Sequence, residues 1–212
     1  MSVRHVFFDL DGTLADTDRD IREAWKAAIA DEGLACPDFD ALFIAGPPFD
    51  EMAAILFPDR CTPALVARLK DGFARHYDHD GFPQTREYPG VMDEVRRLKA
   101  AGARVFIVTN KRYAGACAMA RHFGWDRVFD GIYAGDMYAA SLGKLRKPAL
   151  LARLMAELGA EPATSALVGD TALDFEAAKA NGVRSVGVSW GYGKPADLAR
   201  ADVVCGVLPF PL

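Results

Sequence analysis

The sequence has few cysteines and no strongly basic stretch, and these shortages exclude several kinds of protein. Its 212 residues include four cysteines, none of them spaced as CxxC or set beside a histidine at zinc-ligand spacing. The 25 Lys and Arg residues are outnumbered by 29 Asp and Glu, for a net charge of −4. We therefore expect reduced thiols, no zinc site and no nucleic-acid partner, since phosphate backbones require clustered Lys and Arg.

Long apolar runs are also missing from the sequence. No segment approaches the ~18 consecutive apolar residues that a membrane span needs, and the apolar run in "MSVRHVFFDLDG" is too short for a signal peptide. Half of the residues (51%) are hydrophobic, which is enough to build a buried core. We expect a cytoplasmic protein without a membrane partner, present as a monomer or a homodimer.

Short runs rich in Val, Ile or Phe alternate with helical patterns along most of the chain. The runs do not alternate cleanly between apolar and polar residues, which is typical of parallel strands covered on both faces. They are Val3–Phe8, Val105–Thr109, Ala166–Val168, Val183–Val188 and Val203–Cys205. The helical patterns between them end at glycines, as helices commonly do. The sequence therefore predicts an α/β fold, a doubly wound Rossmann-like core with a parallel sheet.

One region interrupts this alternation. About ninety residues separate the first predicted strand from the second, too many for a loop inside one compact domain. Helical patterns fill much of this region, over Asp18–Asp31, Pro47–Phe57 and Pro63–Tyr77. We interpret residues 15–83 as an inserted α-helical cap domain, and residues 1–14 with 84–212 as the core domain.

Acids, hydroxyls and an amide follow three of the predicted strands. "DLDGT" (Asp9–Thr13) follows the first strand, "TNK" (Thr109–Lys111) ends the second, and "GDTALD" (Gly169–Asp174) follows the third. Ligands of open α/β sheets bind beyond the carboxyl ends of the strands, so these groups are expected to share one crevice. Each has an ordinary alternative: an Asp after a strand commonly caps a turn or a helix.

Phosphoryl transfer would use such a set of groups. Asp9, Asp11 and Asp170 could share Mg²⁺, which takes one or two carboxylates together with substrate phosphate and also offsets their mutual repulsion. One carboxylate can act as a nucleophile, and a second can move the proton of the leaving group. A lysine can screen the negative charge, and backbone N–H groups of the "DLDG" turn can hold phosphate oxygens.

Four short motifs in order resemble those of the haloacid dehalogenase-like (HAD) phosphatase superfamily. They are "DLDGT" (Asp9–Thr13), "VTN" (Val108–Asn110), Lys147 in "KP", and "GDTALD" (Gly169–Asp174). The resemblance covers nearly the whole chain. It implies an α/β core, an inserted cap and a Mg²⁺-dependent hydrolysis of phosphate esters.

The resemblance also implies a role for each matching residue. Asp9 would be the nucleophile, and Asp11 the general acid/base that offers its backbone carbonyl to Mg²⁺. Asp170 would complete the metal site, supported by Asp174. The phosphoryl group would be held by Thr109, Asn110 and the main chain of Leu10 and Gly12. Lys147 would orient the nucleophile; Lys144 is the rival, and the following Pro148 favours Lys147.

Three further segments are similar to phosphoglycolate phosphatases of the helical-cap subfamily: Asp11–Ile21, Tyr88–Val91 and Trp190–Gly193. The cap departs from them at "AGPPFDEM" (Ala45–Met52), where many members have a glycine-rich turn. We therefore expect a phosphatase acting on a small phosphorylated metabolite through an aspartyl-phosphate, phosphoglycolate phosphatase-like. The alternatives are a phosphomutase of the same fold and a non-catalytic protein that binds a phosphorylated metabolite.

Overall fold

A six-stranded parallel sheet forms the centre of the larger part of the protein. The structure, a computed structural model, describes residues 3–78 and 82–212. The strands of the main sheet are β1 (His5–Phe8), β4 (Arg104–Thr109), β5 (Gly131–Ala134), β6 (Ser165–Gly169), β7 (Arg184–Val188) and β8 (Val203–Cys205). A separate two-stranded ribbon pairs β2 (Ala15–Asp16) with β3 (Arg86–Glu87) in antiparallel fashion.

The order of the strands places β1 inside the sheet. Neighbouring strands follow the order β5-β4-β1-β6-β7-β8, and every pair is parallel. From β1 the chain moves outward through β4 to β5, then returns to the other side of β1 at β6. Ligand sites of open α/β sheets lie where the strand order reverses in this way, beyond the carboxyl ends of the strands. Here that position is the carboxyl end of β1.

Helices connect the strands of this unit, and glycines end several of them. The helices are α5 (Val91–Ala100), α6 (Tyr113–Phe123), α7 (Ala139–Leu142), α8 (Lys147–Leu158), α9 (Ala172–Ala180) and α10 (Pro195–Leu198). Gly124 ends α6 with φ of 72° and Gly159 ends α8 with φ of 61°, a backbone region that favours glycine. Pro148 lies in the first turn of α8, where its missing N–H leaves no bond unmade.

The core of the α/β unit is packed between the sheet and its helices. Phe7, Phe106 and Leu167 come from three adjacent strands and are completely buried; Leu151 and Leu154 of α8 belong to the same cluster. The rings of Phe7 and Phe106 stack with centroids 5.8 Å apart. Burying each such side chain contributes about 1.5–3 kcal/mol, so this layer fixes the strand ends that carry the polar residues.

The inserted helical unit comprises Thr17–Thr85. Its helices are α1 (Asp18–Asp31), α2 (Phe39–Leu42), α3 (Phe49–Leu56) and α4 (Pro63–Tyr77). Trp25 stacks on Phe49 with ring centroids 3.9 Å apart, and Gly72 of α4 allows close approach to Ala28 of α1. Aromatic packing and small-residue helix contact therefore give this unit a core of its own.

The predicted fold class is confirmed: an α/β core with a parallel sheet carries an inserted helical domain. The domain boundaries 15 and 83 each lie two residues before those of the compact helical unit, and they stay a prediction. Strand β5 was not predicted; it is four residues long, starts with a glycine and is fully buried only at Ala134. The ribbon formed by the two-residue strands β2 and β3 was not predicted either.

The four cysteines are free thiols in the structure. Within the described residues, none of the helices combines the length and the apolar character needed to cross a membrane.

Candidate active site

Three adjacent strands bring the predicted polar residues to one edge of the sheet. Asp9 directly follows β1, Thr109 is the last residue of β4, and Asp170 directly follows β6. Because β1 pairs with β4 on one side and β6 on the other, these strand ends lie side by side. All three residues are buried; Asp9 is the most exposed of them, with 8% of its surface accessible to solvent.

Lys147 links the predicted nucleophile to the fourth motif. Its Nζ lies 2.8 Å from Oδ1 of Asp9 and 2.6 Å from Oδ1 of Asp174. Burial alone would lower the pKa of Lys147, but the Asp174 and Asp9 carboxylates outweigh it and hold the pKa above its usual range. The ammonium is therefore charged, while its rival Lys144 is exposed to solvent.

Asp174 is fixed by the start of α9. Its Oδ2 accepts hydrogen bonds from the backbone N–H of Thr171 at 3.0 Å and from the Thr171 hydroxyl at 2.9 Å. With Lys147 on Oδ1, both carboxylate oxygens are occupied. Asp174 thus serves as a helix-capping acid and as the anchor of the lysine. This cap begins the helix at Ala172.

Asp170 is held from two other segments. The Thr13 hydroxyl donates to its Oδ1 at 3.3 Å, and the backbone N–H of Tyr192 donates to its Oδ2 at 2.7 Å. Burial raises the pKa of Asp170 to about 7, with a further contribution from the charge of Asp174. Burial likewise raises the pKa of Asp9 to about 8; Lys147 opposes this shift, and Asp174 and Asp170 add to it.

This arrangement fits a divalent cation. One carboxylate oxygen each from Asp9, Asp170 and Asp174 lies within 4.8 Å of the others, and all three residues are buried. Three buried carboxylates face the single charge of the Lys147 ammonium. Burial, together with the repulsion among these acids, raises the pKa values of Asp9 and Asp170. Mg²⁺ prefers oxygen ligands of this kind, and its charge would reverse that electrostatic penalty.

The side chain of Asp11 lies apart from this acidic cluster. Both of its carboxylate oxygens contact Nζ of Lys111, at 2.9 and 3.2 Å. Lys111 belongs to the "TNK" segment, but no role was predicted for it. A lysine directly after the second motif, two residues beyond Thr109, is the signal that could have found it.

The backbone of the first motif forms a tight turn. Gly12 has φ of 81°, and a side chain there would collide with the Asp170 carboxylate. The Gly12 N–H donates to the carbonyl of Ala15 at 2.9 Å. This hydrogen bond must break before the Gly12 N–H can make the predicted contact with phosphate. Leu10 is completely buried, and its carbonyl accepts from the N–H of Leu14 at 2.9 Å.

The second motif places a hydroxyl beside this turn. Oγ1 of Thr109 accepts a hydrogen bond from the backbone N–H of Lys111 at 3.1 Å. The Thr109 hydroxyl proton is thereby left for another acceptor. Asn110, the next residue, is half-buried.

Two glycines after β7 allow a loop to pass against the site. A side chain at Gly191 would collide with Asp170 and with the carbonyl of Gly12, and one at Gly193 would collide with the carbonyl of Asp170. The same loop carries the Tyr192 N–H that donates to Asp170. The "WGYG" segment is therefore part of the site, although none of its residues was among the predicted site residues.

Comparisons with known proteins agree with this geometry. The profile of the haloacid dehalogenase-like hydrolases matches residues 6–188. The tyrosine-protein kinase PtkA of Mycobacterium tuberculosis is 34% identical over 191 residues, covering 89% of this chain and 63% of the kinase. The chain thus spans less than two thirds of the first curated relatives it matches.

A phosphatase and a solved structure resemble the chain over more of their own lengths. The phosphoglycolate phosphatase of Agrobacterium fabrum is 32% identical, covering 87% of this chain and 80% of that enzyme. The crystal structure of a predicted phosphatase from Clostridium acetobutylicum superimposes with a TM-score of 0.84 at 23% identity, covering 96% of this chain and 94% of that one. With a matching profile over most of its length, the chain belongs to the haloacid dehalogenase-like hydrolases.

Proposed function

We propose that the chain is a Mg²⁺-dependent phosphatase that hydrolyses a small phosphorylated metabolite through an aspartyl-phosphate on Asp9. The observation that carries the proposal is the buried cluster in which Lys147 joins Asp9 to Asp174 beside Asp170. A carboxylate held at the end of a core strand, next to a charged lysine, suits nucleophilic attack on a phosphate ester.

The first step forms a bond between Asp9 and phosphorus. Oδ1 of Asp9 is engaged by Lys147, so Oδ2 is the oxygen that attacks. As this bond forms, the bond from phosphorus to the ester oxygen breaks. The Lys147 ammonium screens the repulsion between the attacking carboxylate and the phosphate, and it needs no rearrangement because Asp174 already holds it.

Asp11 moves the proton in both steps. As a carboxylic acid it gives its proton to the leaving ester oxygen; as a carboxylate it then takes a proton from the attacking water. That water forms a bond to phosphorus, the bond from phosphorus to Asp9 breaks, and inorganic phosphate leaves. The Thr109 hydroxyl accepts a hydrogen bond from the backbone N–H of Lys111 and donates one to a phosphate oxygen. Asn110 helps to bind the same phosphoryl group.

The carboxylates of Asp9 and Asp170 and the backbone carbonyl of Asp11 would hold Mg²⁺, with Asp174 behind them as the supporting acid. When bound, the ion supplies positive charge that offsets these acids and the phosphate. Lys147 and Lys111 also bring positive charge to the site.

The relatives guide the choice of substrate. Enzymes named phosphoglycolate phosphatase from three bacteria are 29 to 33% identical, and this chain covers 80 to 91% of their lengths. A small phosphorylated acid is therefore the first substrate to test, and 2-phosphoglycolate the first member of the panel. The panel also includes sugar phosphates, nucleotides and pyrophosphate.

The experiment is phosphate release from this panel by the purified protein, in Mg²⁺ and in EDTA, with Asp9→Asn as the control. We expect Mg²⁺-dependent release that Asp9→Asn abolishes. Release that survives this substitution, or none from any compound, contradicts the proposal. Isomerisation of a sugar phosphate without net phosphate release would instead favour the phosphomutase.

A protein kinase is the second candidate, because the relative named tyrosine-protein kinase is 34% identical to this chain. The two activities differ in the group that receives the phosphoryl group, a tyrosine hydroxyl in place of water. We favour the phosphatase because the chain covers more of the phosphatases than of that kinase. Incubation with labelled ATP and a tyrosine-containing peptide separates the two, since a phosphatase leaves the peptide unlabelled.

A further inference from the structure

Two lysines at this site have different partners. Lys147 contacts Asp9 and Asp174, whereas Lys111 contacts both carboxylate oxygens of Asp11. The side chain of Lys111 is 7% exposed and that of Asp11 is 17% exposed. The Lys111–Asp11 pair is therefore shielded from solvent, and its charge-assisted hydrogen bonds are stronger than those of a surface ion pair.

The backbone on both sides of this pair is fixed. The Lys111 N–H donates to Oγ1 of Thr109, which anchors the turn after β4. On the other side, the Gly12 N–H donates to the carbonyl of Ala15, which anchors the turn after β1. Since β1 and β4 are paired along their lengths, the two turns are held next to each other. The long, flexible lysine side chain thus spans between two rigid points.

Proton transfer by Asp11 depends strongly on where its carboxyl group lies. A small displacement of a reacting group can cost a large factor in rate, and a free Asp side chain samples several rotamers. Contact with both oxygens restricts these rotamers.

We propose that Lys111 is a positioning residue for the proton-transfer step: its contact with both oxygens holds the Asp11 carboxyl group in one orientation. The inference rests on the proposed function of Asp11 as the general acid/base. It divides the two lysines by task, with Lys147 serving the nucleophile and Lys111 serving the acid.

The test compares substrates that differ in their need for an acid. Departure of an alkoxide requires protonation, whereas p-nitrophenolate leaves without it. The value of kcat/KM reports the steps up to departure of the leaving group. In Lys111→Met we expect kcat/KM for the best alkyl phosphate of the panel to fall roughly ten- to a hundredfold, and that for p-nitrophenyl phosphate to fall much less. Lys111→Arg recovers part of the loss, because its guanidinium also binds a carboxylate through two bonds.

Lys179→Met is the matched control, since Lys179 is an exposed lysine of α9 in the same unit. We expect wild-type kcat/KM for both substrates in this variant. Equal losses on the two substrates in Lys111→Met, or a change confined to KM, overturn the positioning role while leaving the phosphatase proposal intact. Absence of turnover by the wild-type protein overturns the proposed function and the positioning role with it.

A second measurement does not depend on turnover. Melting temperatures of Asp11→Asn, Lys111→Met and the double variant form a cycle that isolates the interaction between the two side chains. We expect the double variant to lose less than the sum of the two single losses. Additive losses show that the two side chains do not interact in solution, and they overturn the inference even where the catalytic data agree with it.

Discussion

The Nζ atom of Lys147 lies 2.8 Å from Oδ1 of Asp9, and both residues are almost completely buried. A buried ion pair of this kind contributes little net stability by itself, because removing both charges from water is costly. Its retention in the core of the sheet is better explained by chemistry. The pair holds a carboxylate in one orientation next to a fixed positive charge, as attack on a phosphate ester requires.

Lys147→Met tests this pair directly. The substitution leaves Asp9 and Asp174 without their ammonium, and breaking a buried pair from one side costs about 3–5 kcal/mol. We expect a loss of this size in the free energy of unfolding, measured by chemical denaturation, and a fall in kcat of roughly 10²–10³-fold. Lys144→Met is the control: this exposed lysine should leave both quantities unchanged. An equal effect of the two variants would contradict the assignment of Lys147.

The metal-free protein should become less stable as the pH rises through the neutral range. The pKa values of Asp9 and Asp170 are raised from 3.8 to about 8 and about 7, so the folded state holds protons that the unfolded chain loses above about pH 4. Stability is therefore present in full below this pH and is lost as pH rises through the folded pKa values. In EDTA, we expect the melting temperature to fall between about pH 5 and about pH 8.

Added Mg²⁺ should reverse this loss. Metal binding requires deprotonated carboxylates, so we expect Mg²⁺ to raise the melting temperature more at about pH 8 than at about pH 5. Thermal unfolding in Mg²⁺ and in EDTA at the two values measures this directly. Asp170→Asn is the matched variant and should remove most of the Mg²⁺ effect. A Mg²⁺ effect that is equal at the two pH values would contradict the metal site.

The loop after β7 should tolerate no side chain at Gly193. A Cβ there would collide with the carbonyl of Asp170, a backbone atom that cannot turn away. We expect Gly193→Ala to displace this loop, to remove the Tyr192 N–H from Asp170 and to lower phosphate release at least roughly tenfold. Gly206→Ala is the control, since its Cβ would meet only the Ser189 hydroxyl at 3.3 Å. Wild-type phosphate release by Gly193→Ala would show that the loop does not shape the site.

Much of the fold could be predicted from local patterns in the sequence. The helices Asp18–Asp31 and Pro63–Tyr77 have the predicted bounds, because apolar spacing marks both of them and a proline marks the first turn of the second. β5 was missed because a half-buried strand of four residues gives a weak apolar signal. The ribbon of Ala15–Asp16 with Arg86–Glu87 joins segments about seventy residues apart, a pairing that no local pattern reveals.

For the site, the residue types pointed to one edge of the sheet, and the structure brings Asp9, Lys147, Asp170 and Asp174 together there. The contacts among them could not be predicted, since a lysine's partner depends on packing over distances that spacing does not encode. Lys111 shows this best: its bond to Asp11 spans 100 positions in the sequence. The N–H of Tyr192, which fixes Asp170 across 22 positions, is a backbone group that no motif specifies.

The central claim is that Asp9 carries the phosphoryl group during turnover. The direct measurement is acid quenching of the wild-type protein during steady-state hydrolysis, with borohydride reduction of the acyl-phosphate and mass spectrometry of the resulting peptides. The account predicts a reduced residue at position 9 that appears only with substrate and Mg²⁺, and that is missing in Asp9→Asn. Turnover with an unmodified Asp9, or modification of another residue in its place, would contradict the account.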